Sequence, residues 1–65
     1  MNETDFRTFE NENVIIKKVL NLDQYYEVAV EDKVIDNLIH FHDTFDSSEE
    51  ANKCFRKLVK KEKQK

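Results

Sequence analysis

Hydrophobic and polar residues in the first half of the chain follow the pattern of β-strands. A segment rich in β-branched residues runs from Val14 to Leu20, and such residues are enriched in strands. From Tyr25 to Glu31 the residues alternate, which places Val28 and Val30 on one face and the glutamates on the other. The residues Asn21 to Gln24 lie between these segments and include Asn and Asp, which suit a turn. The pattern therefore predicts a β-hairpin with a four-residue loop.

The segment from Val34 to Phe45 is compatible with two secondary structures. Its apolar residues fall within one arc of a helical wheel, but most of its residue types are weak helix formers. We predict a strand over Asn37 to Thr44, because a third strand would support a hairpin that is marginal alone. A helix is the alternative. In the strand, the side chains expected to point inward are Ile35, Ile39, Phe41 and Phe45.

A C-terminal helix is predicted by both its start signal and its apolar spacing. Asp46 or Ser47 suits the N-cap position, with Glu49 or Glu50 three residues later completing a capping box. A single apolar stripe at helical spacing follows, made of Ala51, Cys54, Phe55, Leu58 and Val59. This stripe is expected to cover one face of the sheet.

The order of these elements predicts an α+β fold, with an antiparallel sheet of about three strands and one C-terminal amphipathic helix packed on one face. We place this single domain at residues 14–61. Residues 1–13 are polar and acidic, with only Phe6 and Phe9 as apolar anchors, so a loosely ordered arm is expected there. Residues 62–65 contain no apolar side chain and are expected to fray as a basic tail.

The composition argues against several classes of function. The chain has 65 residues and contains no glycine, no proline and one cysteine. Without glycine it lacks the phosphate-binding loop, the dinucleotide-binding fingerprint and the EF-hand turn. A domain of this size also has little volume in which to desolvate catalytic groups. We therefore expect a protein that is not an enzyme and that binds no cofactor.

The sequence also bears on location and source. No apolar run approaches the roughly 20 residues that span a bilayer, and the acidic first residues differ from a secretion signal. The single cysteine, Cys54, suits a reducing compartment. We therefore expect a cytoplasmic protein without membrane contact. Asn, Lys and Ile are plentiful, as in AT-rich genomes, which favours a bacterial or phage source.

Charge is divided unevenly along the chain. Residues 1–50 carry a net charge of −9 and residues 51–65 a net charge of +6. Basic residues are expected on the helix face opposite the apolar stripe, at Lys53, Arg56, Lys57, Lys60 and Lys61. Like charges four residues apart on a helix cost about 0.2–0.5 kcal/mol per pair, so local stability does not favour this arrangement. An acidic and aromatic surface is expected at Tyr25, Glu27, Glu31, Asp32 and Asp36.

This charge layout predicts a small protein-interaction module, such as a regulator or inhibitor, that binds another protein by charge complementarity. The alternative is a nucleic-acid-binding accessory protein whose basic helix face follows phosphates, although the acidic remainder would repel DNA. A homodimer is a further candidate, because a small domain without a disulfide or metal gains stability from oligomerisation. A solvated basic face that needs no partner is the simplest explanation of the same charges.

Four residues are candidates for metal or nucleophilic chemistry. On a strand, His40 and His42 share one face at a spacing that suits two imidazole ligands of one metal, with Asp36 nearby. Without a third ligand of fixed position this is a weak signal, so no metal site is predicted. Cys54 lies in the apolar stripe, where burial raises the pKa of a thiol. A structural cysteine is therefore expected, and no catalytic residue is assigned.

Overall fold

Residues 6–64 form one antiparallel sheet and one helix in a computed structural model. The strands occur in chain order as β1 (Arg7–Glu10), β2 (Val14–Leu20), β3 (Tyr26–Asp32) and β4 (Ile39–Phe45), followed by the helix α1 (Ser48–Lys63). The order across the sheet is also β1-β2-β3-β4, and every neighbouring pair is antiparallel. The helix covers one face. This architecture confirms the α+β fold, with four strands where about three were expected.

The additional strand is β1, which lies within residues 1–13. Its Phe9 is paired with Ile16 of β2, and this ring packs against the core beneath the helix. The side chain of Asn11 closes the following turn, since its Oδ1 accepts the backbone N–H groups of Asn13 at 2.8 Å and Val14 at 2.9 Å. An Asn thus makes the reversal that glycine often makes. Residues 1–5 of the expected arm lie outside the described range, as does Lys65 of the expected tail.

The β2–β3 hairpin has a tighter loop than the four residues expected. The N–H of Asn21 donates to the carbonyl of Tyr25 at 2.8 Å, and the N–H of Gln24 donates to the carbonyl of Asn21 at 2.9 Å. Gln24 has a φ of 67°. This is the three-residue arrangement in which a turn is followed by one residue in the left-handed region. Glycine usually occupies that position, because a Cβ costs energy there.

Replacing Gln24 by glycine is expected to stabilise the protein. A left-handed backbone costs a non-glycine residue about 1–2 kcal/mol, and replacement by glycine removes this cost. Part of the resulting gain in stability is offset by the greater freedom of glycine in the unfolded chain. We expect Gln24→Gly to raise the free energy of unfolding by about 0.5–1 kcal/mol, and the melting temperature by roughly 2–8 °C, as measured by circular dichroism. Asn37 also has a positive φ, 64°, but Asn tolerates this region. Asn37→Gly is therefore the control with a smaller gain, and an equal or larger gain there would contradict the explanation.

Of the two secondary structures compatible with residues 34–45, the strand is the one observed, as β4. β4 is paired with β3 from Phe45 opposite Tyr26 to Phe41 opposite Val30, but the register then shifts so that Ile39 lies opposite Glu31. This β-bulge leaves His40 as the extra residue and reverses the facing of the chain beyond it. The inward direction expected for Ile39 was therefore wrong, and its side chain is 56% exposed.

Two of the other inward predictions for this segment agree with the register, and one does not. Phe41 and Phe45 lie opposite Val30 and Tyr26, on the face that the helix covers, and both are half-buried. Ile35 precedes the strand, lies in the β3–β4 loop and is 56% exposed.

The helix begins at the cap that the sequence indicates. The hydroxyl oxygen of Ser47 accepts the N–H of Glu50 at 3.1 Å, which satisfies one of the otherwise unpaired first-turn donors. At the other end α1 continues to Lys63, and the N–H of Gln64 donates to the carbonyl of Lys60 at 3.2 Å. The ammonium of Lys63 lies 5.8 Å from the centre of the Phe9 ring, so a contact with β1 accompanies the end of the helix.

The core lies between the helix and the two central strands. Phe55 is the largest apolar side chain that the helix buries. Four half-buried residues extend this cluster, namely Phe9, Phe41, Leu58 and Val59. The buried apolar residues are Val14, Ile16, Val28, Val30, Ala51 and Phe55. So few buried residues make a thin core, as expected for a domain of this size.

A lysine is buried in the same layer. Lys18 follows Val14 and Ile16 at every second position of β2, and its exposed fraction is 0%. Its Nζ donates to the hydroxyl of Ser48 at 3.1 Å and lies 4.9 Å from the centre of the Tyr26 ring. The long aliphatic stem of the side chain therefore replaces an apolar core residue, while its ammonium meets polar and aromatic groups beneath the first turn of α1.

Within residues 6–64 no helix is both long enough and apolar enough to cross a membrane.

Candidate functional site

The exposed side of α1 carries five basic side chains, which we call the basic face: Lys53, Arg56, Lys57, Lys60 and Lys61. All five are exposed. The helix directs them away from the sheet because Ala51 and Phe55 occupy its buried side. Helical periodicity thus brings together the residues that the sequence grouped as a basic binding surface.

The basic face is not neutralised by the described part of the chain. No carboxylate among residues 6–64 forms an ion pair with any of its five side chains. Even Glu49, which precedes Lys53 by four residues, makes no such contact. The lysines at four-residue spacing therefore repel each other without compensation. Their positive potential is directed into solvent, where it attracts acidic groups.

Two hollows lie along the border between α1 and β4. The larger, of about 480 Å³, is lined by Phe45, Glu50, Lys53, Cys54 and Lys57. The smaller, of about 210 Å³, is lined by residues of the second half of the helix and the beginning of β4, among them Leu58, Lys61 and Phe41. Both hollows place apolar side chains beside lysines of the basic face. Each hollow also has one carboxylate in its lining, Glu50 in the larger and Glu62 in the smaller.

The thiol of Cys54 in the larger hollow is not activated. Partial burial raises its pKa above the ordinary value, and the nearby carboxylate of Asp43 raises it further, while the ammonium of Lys57 acts in the opposite direction. A raised pKa keeps the thiol protonated at neutral pH, and the thiolate is the nucleophilic form.

Two glutamates of the acidic surface expected from the sequence are engaged by other side chains in the structure. Glu31 forms an ion pair with Lys17 at 3.1 Å. Glu27 accepts a hydrogen bond from the side chain of Asn21 at 2.9 Å and contacts the imidazole of His42 at 3.1 Å. These contacts join β3 to its two neighbouring strands, so their carboxylates are already engaged by the protein itself.

The other three residues of that surface occupy loops or strand ends. Tyr25 closes the β2–β3 turn and is half-buried, Asp36 is exposed in the β3–β4 loop, and Asp32 ends β3. The structure therefore does not assemble the five predicted residues into one free acidic patch.

Asp32 organises the β3–β4 loop. Its Oδ1 accepts the backbone N–H groups of Val34 at 2.7 Å and Ile35 at 2.6 Å, and its Oδ2 lies 2.9 Å from Nε2 of His40. These contacts lower the pKa of the Asp32 carboxyl below its ordinary value, with the Ile35 N–H as the largest cause and the His40 imidazole second. The pKa of Glu27 is also lowered, first by the hydrogen bond from Asn21 and then by that from His42.

These lowered pKa values predict a loss of stability in acid. Each carboxylate stabilises the folded state fully above its unfolded pKa, about 3.9 for Asp, and this contribution disappears as the pH falls through the lower folded value. We expect Asp32→Asn to lower the melting temperature at pH 6, and the difference from the unchanged protein to shrink towards pH 2. Thermal melts across this range test the linkage. A difference that does not vary with pH would contradict it.

The two histidines do not form a metal site with their acidic partners. The bulge at His40 separates them, so that His40 contacts Asp32 while His42 contacts Glu27 on the other face of β3. Among residues 6–64 no group of three His, Cys, Asp or Glu side chains is arranged to hold a metal ion. Asp36, considered with them from the sequence, forms no contact with either imidazole.

Sequence reasoning missed a cluster of exposed aliphatic side chains at the β3–β4 loop. Val34 is 75% exposed, Ile35 and Ile39 are each 56% exposed, and Leu38 is 39% exposed. Ile35 and Ile39 were expected to point inward, because neither the bulge nor the Asp32 hydrogen bonds could be inferred from the pattern. The one available signal was Asp32 itself, since an Asp side chain often accepts a hydrogen bond from the backbone N–H two residues later and so stabilises a turn.

Comparison with models of protein families, with curated protein sequences and with solved structures finds no match to this chain. What the protein does is therefore inferred from its own charges, hollows and contacts.

Proposed function

We propose that this protein is a small non-enzymatic interaction module that binds an acidic surface of another protein through the basic face of α1. The observation that carries the proposal is the contrast between the two charged surfaces. The carboxylates of Glu27, Glu31 and Asp32 are engaged within the chain, whereas the basic face has no ion-pair partner within residues 6–64. Binding an acidic partner would relieve the repulsion between the lysines.

The hollows beside the basic face give this surface a means of selectivity. Charge attraction alone accelerates encounter and falls off beyond about 8 Å at physiological salt. An apolar side chain inserted against Phe45 and Cys54, between Lys53 and Lys57, would add contact that a purely charged ligand lacks. The preferred partner surface is therefore acidic with an apolar residue at its centre. Occupying such a surface on an enzyme or a regulator would inhibit it without any chemistry by this protein.

Nucleic acid is the competing ligand for the same five cations. A basic helix can follow phosphates, but the exposed side of α1 carries no aromatic side chain for base stacking, and the neighbouring Phe45 is half-buried. The net charge of the whole chain is −3, which opposes approach to any anionic surface and most strongly to duplex DNA, with its one charge per about 1.7 Å. These features favour a protein surface, where carboxylates and apolar groups occur together.

The proposal is tested with polyglutamate and a duplex DNA as probes, in a titration followed by fluorescence anisotropy. Lys53→Glu combined with Lys57→Glu is expected to weaken polyglutamate binding at least tenfold. Lys17→Glu combined with Lys33→Glu is the matched control, because it changes the net charge equally but alters lysines paired with Glu31 and Glu10. We expect less than a threefold effect from this control.

Two results would overturn the proposal. Equal weakening by both double variants would show that only the net charge matters and that the basic face is not a site. Tighter binding of the DNA than of polyglutamate at 150 mM salt would assign the basic face to nucleic acid. Circular dichroism spectra of all variants establish that they are folded.

A further inference from the structure

The face of the sheet opposite α1 is not covered within residues 6–64. We call it the outer face; its central side chains are Ile15, Lys17, Val19, Ala29, Ile39 and His42. Antiparallel strands commonly leave one face in water, and that face is then polar. The outer face of this sheet instead combines aliphatic side chains with polar groups that contact one another.

The charged groups of the outer face are paired across strands. Lys17 of β2 meets Glu31 of β3 at 3.1 Å, and His42 of β4 meets Glu27 of β3 at 3.1 Å. Asn21 gives Glu27 a second hydrogen-bond donor at 2.9 Å. A surface whose polar groups already have partners loses less free energy when water is removed than one with free charges. It is suited to burial against another surface of low net charge.

The outer face has both a hollow and a projecting side chain. The hollow has a volume of about 210 Å³, and Ala29, Val19 and Glu27 are among the residues that line it. Ile39 lines the same hollow and is 56% exposed, because the bulge at His40 directs it to this side of the sheet. Under a two-fold axis, the projecting Ile39 of each copy meets the hollow of the other, which is the geometry of an isologous interface.

The available area sets the expected strength of such an interface. Strands of seven residues at about 3.3 Å per residue, spaced about 4.8 Å apart, give a sheet of roughly 23 by 19 Å. Two copies would bury about 800 Å² of flat face, and projecting side chains such as Ile39 raise this to about 1,000 Å². That area is at the lower limit for a specific interface, so a weak dimer is expected.

We propose that two copies of this chain associate outer face to outer face, forming a four-layer dimer with a helix on each outside surface. A second copy fits better than a charged partner, because the charged groups of this face already have partners within the chain. It also supplies the burial that the thin core lacks. The two basic faces remain exposed in this dimer, so the association is independent of the binding proposed for α1.

Sedimentation velocity of the full chain between 5 and 500 μM tests the dimer. We expect reversible dimerisation with a Kd on the order of 10 μM, and a melting temperature that rises with protein concentration. Ile39→Asp is expected to leave a folded monomer at 500 μM, because it places a charge in the middle of the interface. Leu22→Asp is the matched control: Leu22 is 100% exposed in the β2–β3 loop, and its replacement should leave the Kd unchanged within about twofold.

A second variant distinguishes loss of the interface from an effect of Ile39→Asp on the fold. Ala29→Gln fills the hollow without altering the net charge and is expected to weaken the dimer at least tenfold while the circular dichroism spectrum is preserved. A monomer at 500 μM for the unchanged chain would overturn the proposal. So would a dimer that persists in both Ile39→Asp and Ala29→Gln, since association would then use another surface.

Discussion

Lys18→Ala is expected to lower the free energy of unfolding by about 2–4 kcal/mol, comparable to truncating a buried methionine. The side chain is fully buried, and its stem occupies a core position between the sheet and the helix. Truncation would leave a cavity and remove the hydrogen bond from Nζ to the hydroxyl of Ser48. For a chain of this length the total stability is about 3–10 kcal/mol, so much of the chain would be unfolded at 37 °C.

Two further lysine variants separate packing from charge. Lys17 is the neighbouring residue, but it lies on the outer face and is paired with Glu31. Lys17→Ala is therefore expected to cost only about 0–1 kcal/mol. Lys18→Met keeps the stem and loses the ammonium, and should fall between the two alanine variants. Urea denaturation measures all three. Equal effects of Lys17→Ala and Lys18→Ala would show that the lysine at position 18 is not buried in solution.

Phe55→Ala is expected to have the largest effect of any single truncation, about 3–5 kcal/mol. Its ring packs with Val14, Ile16 and Val30 in the core cluster, and the guanidinium of Arg7 lies 5.8 Å from its centre. Removing it separates the helix from both central strands. Because the core contains so few buried residues, neighbouring side chains cannot fill the space, and the variant should lack a cooperative thermal transition.

Phe6→Ala provides the matched control for this prediction. Phe6 precedes β1 and is 44% exposed, so the same truncation there should cost less than about 1 kcal/mol. Near-ultraviolet circular dichroism and thermal melts distinguish the two variants. A cooperative transition in Phe55→Ala within a few degrees of that of the unchanged protein would contradict the central role of this ring.

The parts of the fold that were predicted correctly depend on signals contained within one segment. The β-branched residues from Val14 to Leu20 and the alternation around Val28 specify strands regardless of their partners. Ser47 and the acidic residues after it similarly specify a helix start. These signals are local, so they survive without knowledge of tertiary contacts.

The parts that were missed depend on pairing between segments. Arg7–Glu10 has little apolar character, and its strand exists because β2 offers an edge to which it bonds. The bulge at His40 is defined by its register against Glu31, so no pattern within β4 reveals it. The burial of Lys18 follows from strand parity, but residue type alone places lysine on the surface.

The candidate site likewise combines features that one segment specifies with features that depend on pairing between segments. Helical spacing is sufficient to collect Lys53, Arg56 and Lys60 on one side, so the basic face was predictable. The contacts of the acidic residues were not, because Glu31 is 14 positions from Lys17 in sequence and meets it only across strands. Net charge counted along the chain does not show which carboxylates have partners within the protein.

The order of the strands has a consequence for how quickly this protein forms. Each strand is bonded only to its neighbours in sequence, so the sheet is made by closing short loops, and α1 then folds back over it. Contacts between segments that are close in sequence are associated with rapid folding. We infer that the hairpins form on the microsecond scale and that the core around Phe55 is complete only once α1 has docked on the sheet.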